Sequence, residues 1–391
     1  MNEFSSKTSL DKIVQDTLIS IEKYQHLLNG YGLYNGLGSV LLFYGQTYLC
    51  TKDSRFICKI EKQLETLFSA LNEANFPKIS FAEGICGVGW LINFFVDSEI
   101  LEKEFIKTFD NFDKLLSRIM IQWVDQSNYE FLYGASGIAL YFLSKPLSKD
   151  TIKALESFVV AVDNFGIKIN ELEKKWNSKI RIAEDLLYGE NISLSHGMSG
   201  LLVLLCKIYD RGILEEVTKT NIIQLSNYII SQRFVKKGQS IFPTLSLNHE
   251  TSKVPSRLAW CYGDLGICIA ISKTVDYSFI SVEIIKVYEE ILISLNERIV
   301  PAENGCIDPF ICHGAAGVYY GLWKLNKING MYFESTLFSW RNTLNQFKLD
   351  NYSTNSNNKN IGLIEGVIGV ALVELTINTN ISSWDECLLL S

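Results

Sequence analysis

Gly314 to Trp323 reads GAAGVYYGLW: two glycines three positions apart, then an apolar run without a charge. The signature recurs at Gly84 (GICGVGWLINFF), Gly134 (GASGIALYFL), Gly197 (GMSGLLVLL), Gly263 (GDLGICIAI) and Gly366 (GVIGVALVEL). With one residue deleted, Gly36 (GLGSVLLFYG) begins a seventh copy. The first glycines are 48, 50, 63, 66, 51 and 52 residues apart, room for two helices and two loops per unit. Such a period, in a chain with almost no strand pattern, is the mark of a helical solenoid or a closed helical ring.

Between the glycine copies, apolar residues fall on single helical stripes. Ile57, Ile60, Leu64, Leu67 and Leu71 form one, and Phe105, Phe109, Phe112, Leu116 and Ile119 the next. Others run through Ile152, Leu155, Val159 and Val162, through Ile284, Tyr288, Ile291 and Leu295, and through Leu337, Trp340, Leu344 and Phe347. These are amphipathic helices with a polar outer face. The helices that start at the glycines are apolar nearly all round and must be buried on several sides. Two layers follow: an all-α chain folded as an α/α toroid of seven inner and seven outer helices.

Composition agrees with one large domain spanning 1–391. The chain is 47% hydrophobic, and no Pro-, Ser- or Gly-rich stretch divides it. The two longest spacings flank Gly197 and predict surface excursions near 163–191, rich in charge, and near 235–256, an irregular loop placed to close over a mouth. A net charge of -7 argues against a nucleic-acid partner, which calls for a basic face. Nine cysteines, an odd number scattered through apolar segments, read as buried thiols of a reducing compartment rather than a disulfide framework. MNEFSSKTSLDKIV is no signal peptide, and the expected location is cytoplasmic. Leu27 to Thr51 carries no formal charge over 25 residues, but its central glycines suit a loop and inner helix better than a membrane span.

Aligned repeats place the residue before each first glycine on one rim. That column reads Asn35, Glu83, Tyr133, His196, Tyr262, His313 and Glu365, and the position before it Tyr34, Ala82, Leu132, Ser195, Cys261, Cys312 and Ile364. Helix starts around such a mouth, with unpaired N–H groups, are expected to favour anions. Cys261 and the pair Cys312 and His313 fall at matching places in adjacent repeats. A lone cysteine is commonly a small core residue. Two thiols and an imidazole converging without a fourth ligand instead describe a catalytic zinc site, one Zn2+ per chain.

WCYGDLG (Trp260 to Gly266), CHGAAG (Cys312 to Gly317) and SHGMSG (Ser195 to Gly200), spread over seven G-x-x-G repeats, resemble the lanthionine synthetase C-like cyclases of class I lantibiotic biosynthesis. The resemblance covers essentially the whole chain. It implies an α/α toroid holding one zinc on Cys261, Cys312 and His313, and addition of a peptide cysteine thiol to dehydroalanine or dehydrobutyrine in the same dehydrated precursor peptide. It makes His196 the general acid that protonates the enolate, Arg257 a candidate for stabilising its charge, and Tyr262 a residue of the wall or a hydrogen-bond donor to substrate. One departure stands out. The family pattern Y-D-x-x-x-G is here Tyr129, Glu130, Phe131, Leu132, Tyr133, Gly134, so Glu130 replaces an aspartate as the expected partner of His196. The resemblance further implies a dehydratase and an export transporter as partners, holding the enzyme at the inner face of the membrane. Three alternatives remain at this point: a peptide-binding scaffold, a relative that adds glutathione to dehydro residues, and a toroid glycosidase or terpenoid or prenyl transferase. The last lacks support, since no D-x-D-D run is present.

Overall fold

The computed structural model of the chain describes residues 3–28, 30–73, 77–182, 185–234, 240–248, 254–330, 333–351 and 360–391. Outer and inner helices alternate along it: α1 (Glu3–Tyr24), α2 (Leu37–Thr51), α3 (Arg55–Glu73), α4 (Ile85–Asp97), α5 (Asp110–Asp125), α6 (Ala135–Leu143), α7 (Lys149–Phe165), α8 (Met198–Asp210), α9 (Glu215–Ser231), α10 (Asp264–Ser272), α11 (Val282–Glu297), α12 (Ala315–Asn329), α13 (Glu334–Asn351) and α14 (Val367–Thr379). The even-numbered helices form the inner ring, each packed on its neighbours, and α14 meets α2 to close it. Outer helices cover the inner ones, and α1, which precedes the first inner helix, packs on α14 and seals the join. The chain is an α/α toroid.

The two layers follow from the two apolar patterns. Every residue of α6 is buried, whereas α3 buries only Phe56, Ile60, Leu64 and Leu67 along one stripe. Full burial of side chains of this size contributes roughly 1.5–3 kcal/mol each, so seven buried inner helices account for the dominant share of stability. One stripe divides differently from its sequence pattern: Phe105 lies in a separate 3-10 turn, Lys103–Lys107, ahead of α5.

Each G-x-x-G is a place where a loop folds back on a helix start. A Cβ at Gly317 would lie 1.9 Å from the Ile311 carbonyl oxygen, and one at Gly314 2.4 Å from that of Asp308. Only glycine permits this approach. The same loop carbonyls occupy the helix-start donors: Ala315 N–H binds Asp308 O, Ala316 N–H binds Pro309 O and Gly317 N–H binds Phe310 O. Ile85, Ala135 and Met198 are satisfied in the same way by Lys78, Asn128 and Asn191. The expectation of unpaired N–H groups facing the mouth therefore does not hold there, because the folded-back loops already use them.

Successive loops are laced together by main-chain hydrogen bonds. Tyr34 N–H binds Ala82 O and Ala82 N–H binds Leu132 O. Ser195 N–H binds Cys261 O, Cys261 N–H binds Cys312 O, Cys312 N–H binds Ile364 O, and Leu363 N–H returns to Tyr34 O. Between the third and fourth repeats the Leu132 N–H goes instead to the Glu130 carboxylate, at 3.0 Å.

The bore beneath this rim is filled by the chain's last residues, which nothing in the periodicity announces. A 3-10 segment, Ser383–Leu388, is followed by Leu389 and Leu390, and Trp384, Asp385, Cys387 and Leu388 to Leu390 are all buried. Trp260 Nε1 donates to Leu388 O at 2.9 Å and Tyr34 Oη to Cys387 O. Ten residues beyond the first glycine of repeats four, five and six stand Lys207, Lys273 and Lys324. Lys207 pairs with Glu386 at 3.0 Å, Lys324 with Asp385 at 2.9 Å, and Lys273 donates to Leu390 O at 3.1 Å. Burial and the charges of Lys207 and Lys324 bring the Lys273 ammonium down to about 8.

The excursion near 163–191 is made of two antiparallel ladders: β1 (Ile167–Lys168) pairs with β2 (Lys174–Lys175), and β3 (Asn177–Ile182) with β4 (Asp185–Glu190). Trp176 anchors it, donating to Val162 O at 2.9 Å, while its own carbonyl accepts from Tyr129 Oη at 3.1 Å. Of the 235–256 loop, residues 235–239 and 249–253 lie outside the described residues. The remainder is tied to buried Asp264, which accepts from Ile241 N–H and Phe242 N–H at 2.9 Å and pairs with Arg298 at 2.5 Å.

Gly317→Ala forces the new methyl group into the Ile311 carbonyl. The expected cost is at least the ~1–3 kcal/mol of an overpacked core, read as a lower urea midpoint at unchanged slope; an unchanged midpoint would refute the close-approach account.

Candidate metal centre and the neighbouring histidine

The lacing that joins repeats four to seven also places the site. Cys261 and Cys312 are consecutive members of it, so their backbones are fixed against one another, and Ser195 Oγ adds a second bond to Cys261 O at 3.3 Å. One ligand atom from each of Cys261, Cys312 and His313 lies within 4.8 Å of the others. Cys261 is buried, and Cys312 and His313 are half-buried, which leaves the cluster facing the mouth. All nine cysteines are free, so neither thiol is committed elsewhere.

Electrostatics favour one thiolate here even without an ion. The hydrogen bond from the Cys312 thiol, joined by that from His313, lowers the Cys261 thiol against the opposing effect of burial. Cys312 is raised in turn, by its bond to Cys261 and by burial. The two thiols titrate as a pair that holds one proton. The His313 imidazole is raised mainly by its bond to Cys261, with the Asp308 charge adding to it and burial opposing. Asp308 Oδ2 stands 3.4 Å from His313 Nε2, while its Oδ1 accepts the Phe310 N–H at 2.8 Å. A carboxylate beside the imidazole helps to orient the ring. Two soft thiols and one imidazole so arranged fit a zinc ion in chemistry and number.

His196, in the fourth repeat, stands next along the rim. Its Nδ1 is 2.7 Å from Glu130 Oε2. Glu130 is itself fixed: Oε2 accepts the Leu132 N–H and Oε1 accepts the Tyr133 N–H. Burial pushes the imidazole down, but the hydrogen bond and charge of Glu130, with the charge of Cys261, outweigh it, and His196 ends above its ordinary value. Tyr262 tilts over the imidazole with ring centroids 5.7 Å apart, and its hydroxyl accepts from Asn191 Nδ2 at 3.0 Å. Asn191 in turn caps the turn through the Ser193 N–H at 3.0 Å.

The structure thus gathers six of the seven sequence candidates, Cys261, Cys312, His313, His196, Glu130 and Tyr262, at one arc of the rim. Arg257 stands beside them with an exposed side chain packed on Gly305, whose φ of +66 lies in the left-handed region that favours glycine. Its charge reaches His313. Sequence reading passed over Asp308 and Asn191, each six residues before a first glycine. That column supplies a carbonyl to the helix start in six of the seven repeats, and its polar members were the available signal.

A helical toroid with a two-thiol, one-imidazole cluster and a carboxylate-held histidine on the same rim defines a class of ring-shaped α proteins with a candidate metal centre. The family model described as lanthionine synthetase C-like protein matches residues 28–389, and the chain belongs to that family. Among solved structures, nisin cyclase is similar in fold, with a TM-score of 0.75 at 19% sequence identity over 98% of this chain and 97% of that one. A search of curated protein sequences found no match.

Metal analysis is expected to find one zinc per chain, lost in Cys312→Ala while helical circular dichroism persists, since the hydrophobic repeats hold the fold without the ion. Asp308→Asn should keep the ion but weaken it about 10- to 100-fold, the usual effect of losing such an orienting carboxylate. Full zinc in Cys312→Ala would remove that cysteine from the ligand set.

Proposed function

We propose that this chain is a zinc-dependent cyclase that closes lanthionine and methyllanthionine rings in a dehydrated lantibiotic precursor peptide. The observation that carries the reading is the position of the Cys261, Cys312 and His313 cluster on the same rim as the Glu130–His196 pair. Family membership and the fold shared with nisin cyclase support the same class of activity.

Zinc held by Cys261, Cys312 and His313 supplies, when bound, the positive charge that keeps a substrate thiol ionised near neutral pH. In the addition, the thiolate sulfur bonds to the β-carbon of the dehydro residue, the carbon–carbon π bond opens, and its electrons become an enolate. The α-carbon then takes a proton. His196 is suited to give it: Nδ1 is engaged by Glu130, which leaves Nε2 as the nitrogen that can face the reacting peptide. The carboxylate fixes the tautomer and favours the imidazolium that donates. Arg257, exposed and near His313, is placed to offset enolate charge, and Tyr262 walls the histidine while its hydroxyl stays on Asn191. The substrate must arrive already dehydrated, which calls for a dehydratase before this step and an exporter after it. No helix among the described residues is long and apolar enough to cross a membrane.

The deciding experiment incubates a dehydrated precursor with the protein and follows loss of free thiols by alkylation and mass spectrometry, since ring closure leaves the mass unchanged. His196→Asn is expected to retain zinc and leave the thiols free. Glu130→Gln should lower turnover about a hundredfold, and Glu130→Asp, which restores the residue typical of the family, should be milder. An effect below about threefold for Gln, with zinc retained, would exclude a role in proton transfer.

The pH dependence has a definite sign. A general acid works protonated, and His196 is raised above the usual imidazole value, so kcat should hold at low pH and fall as pH rises through that raised pKa. In Glu130→Gln the fall should begin at lower pH; an identical profile would show that Glu130 does not set the protonation of His196.

A further inference from the structure

We propose that Tyr133 is a positioning residue for His196: its ring, from the preceding repeat, and that of Tyr262, from the following one, hold the imidazole between two phenol faces. Only the kinetic part of this inference rests on the cyclase reading. The Tyr133 ring lies nearly parallel to the imidazole, 8° between planes with centroids 6.3 Å apart, and Tyr262 approaches at 5.7 Å and 33°. Both distances fall in the range in which aromatic rings attract.

The need for such a device follows from how little else restrains the histidine. Its side chain is 32% exposed, and among the described residues its one side-chain hydrogen bond is to Glu130 at Nδ1. A ring held at one nitrogen can still pivot about that bond, sweeping Nε2 away from the mouth. A near-parallel ring from Tyr133 and a tilted one from Tyr262 limit that pivot.

Tyr133 is itself held for the task. Its backbone N–H donates to Glu130 Oε1, the other oxygen of the carboxylate that binds His196, and its carbonyl accepts from Asn128 Nδ2 at 3.3 Å. One carboxylate thus sets the spacing between the two rings. Burial and the charges of Glu83, Glu130, Glu365 and Cys312 push the phenol up to about 12, so Tyr133 offers a neutral ring. Such a face favours a neighbouring cation.

Tyr133 is 44% exposed, so its replacement should leave the fold intact. Tyr133→Ala is expected to lower kcat about tenfold, the span that a stacked aromatic pair commonly supports, with KM and zinc content unchanged. Tyr133→Phe, which keeps the ring, should recover most of that loss. A second readout needs no turnover: the rate at which diethyl pyrocarbonate modifies His196, followed by peptide mass spectrometry, should rise severalfold in Tyr133→Ala and stay near wild type in Tyr133→Phe. Equal losses for Phe and Ala would assign the effect to the hydroxyl and overturn the inference, as would an unchanged modification rate in the Ala variant. Should the wild-type chain fail to cyclise any dehydrated peptide, the cyclase reading falls, while the modification rates still decide whether Tyr133 restrains His196.

Discussion

Cys261 donates its N–H to Cys312 O, and Cys312 donates its own to Ile364 O. These bonds belong to the lacing that runs loop to loop around the toroid, and the site inherits its geometry from them. A three-ligand cluster built from separate repeats has no local motif to hold it. Its ligands meet because the backbones that carry them are hydrogen-bonded strand-like across the repeat boundary, each loop in turn pressed onto its helix start through the two glycines. The glycines therefore act on the site at one remove: without their close approach to residues such as Ile311, the loops would stand off the helices and the lacing would not reach.

The lacing breaks at one step, between Leu132 and Ser195, and the break is chemical. There the Leu132 N–H turns to the side chain of Glu130, and the carboxylate so held reaches His196. The two hairpins of the 167–190 segment widen the chain at the same step, with Tyr129 bound to Trp176 O next to Glu130. A glutamate here reaches the imidazole while keeping the two backbone donors of its own turn. The departure from aspartate is thereby accommodated by the local structure and leaves the histidine with a partner.

Much of this was legible in the residues. The spacing of G-x-x-G copies implied seven inner helices, and the rim column placed Tyr133, His196 and Tyr262 in consecutive repeats. Neighbouring repeats are neighbours in space, but the column was read only as a polar rim, and the packing of its rings emerges from the structure. Other features were hidden for physical reasons. The segment from Ser383 onward packs into the bore through contacts with six different inner helices or their loops, five of them far away in sequence. Lys207, Lys273 and Lys324 were visible as a column, but their partners Glu386, Asp385 and the Leu390 carbonyl were not. The expected anion-favouring mouth failed because a helix start read in isolation exposes its donors, whereas here each folded-back loop supplies the acceptors.

A scaffold that only held a peptide would have little use for the Glu130–His196 pair. A buried carboxylate is costly to desolvate, and Glu130, 7% exposed, offsets that cost only by taking two backbone donors and an imidazole. Buried pairs of this kind can commonly be replaced by apolar residues without loss of stability, so the fold does not explain the pair. Nor does the cluster of Cys261, Cys312 and His313, which could hold a metal ion without His196. What the arrangement does achieve is to raise the His196 imidazole above its ordinary value and to engage its Nδ1 with Glu130, beside a cluster suited to a thiolate. Titratable groups whose neighbours shift them in this way gather where protons are moved. In the proposed addition the enolate needs a proton donor near the new thioether, and His196, from the repeat adjoining Cys261, is the candidate.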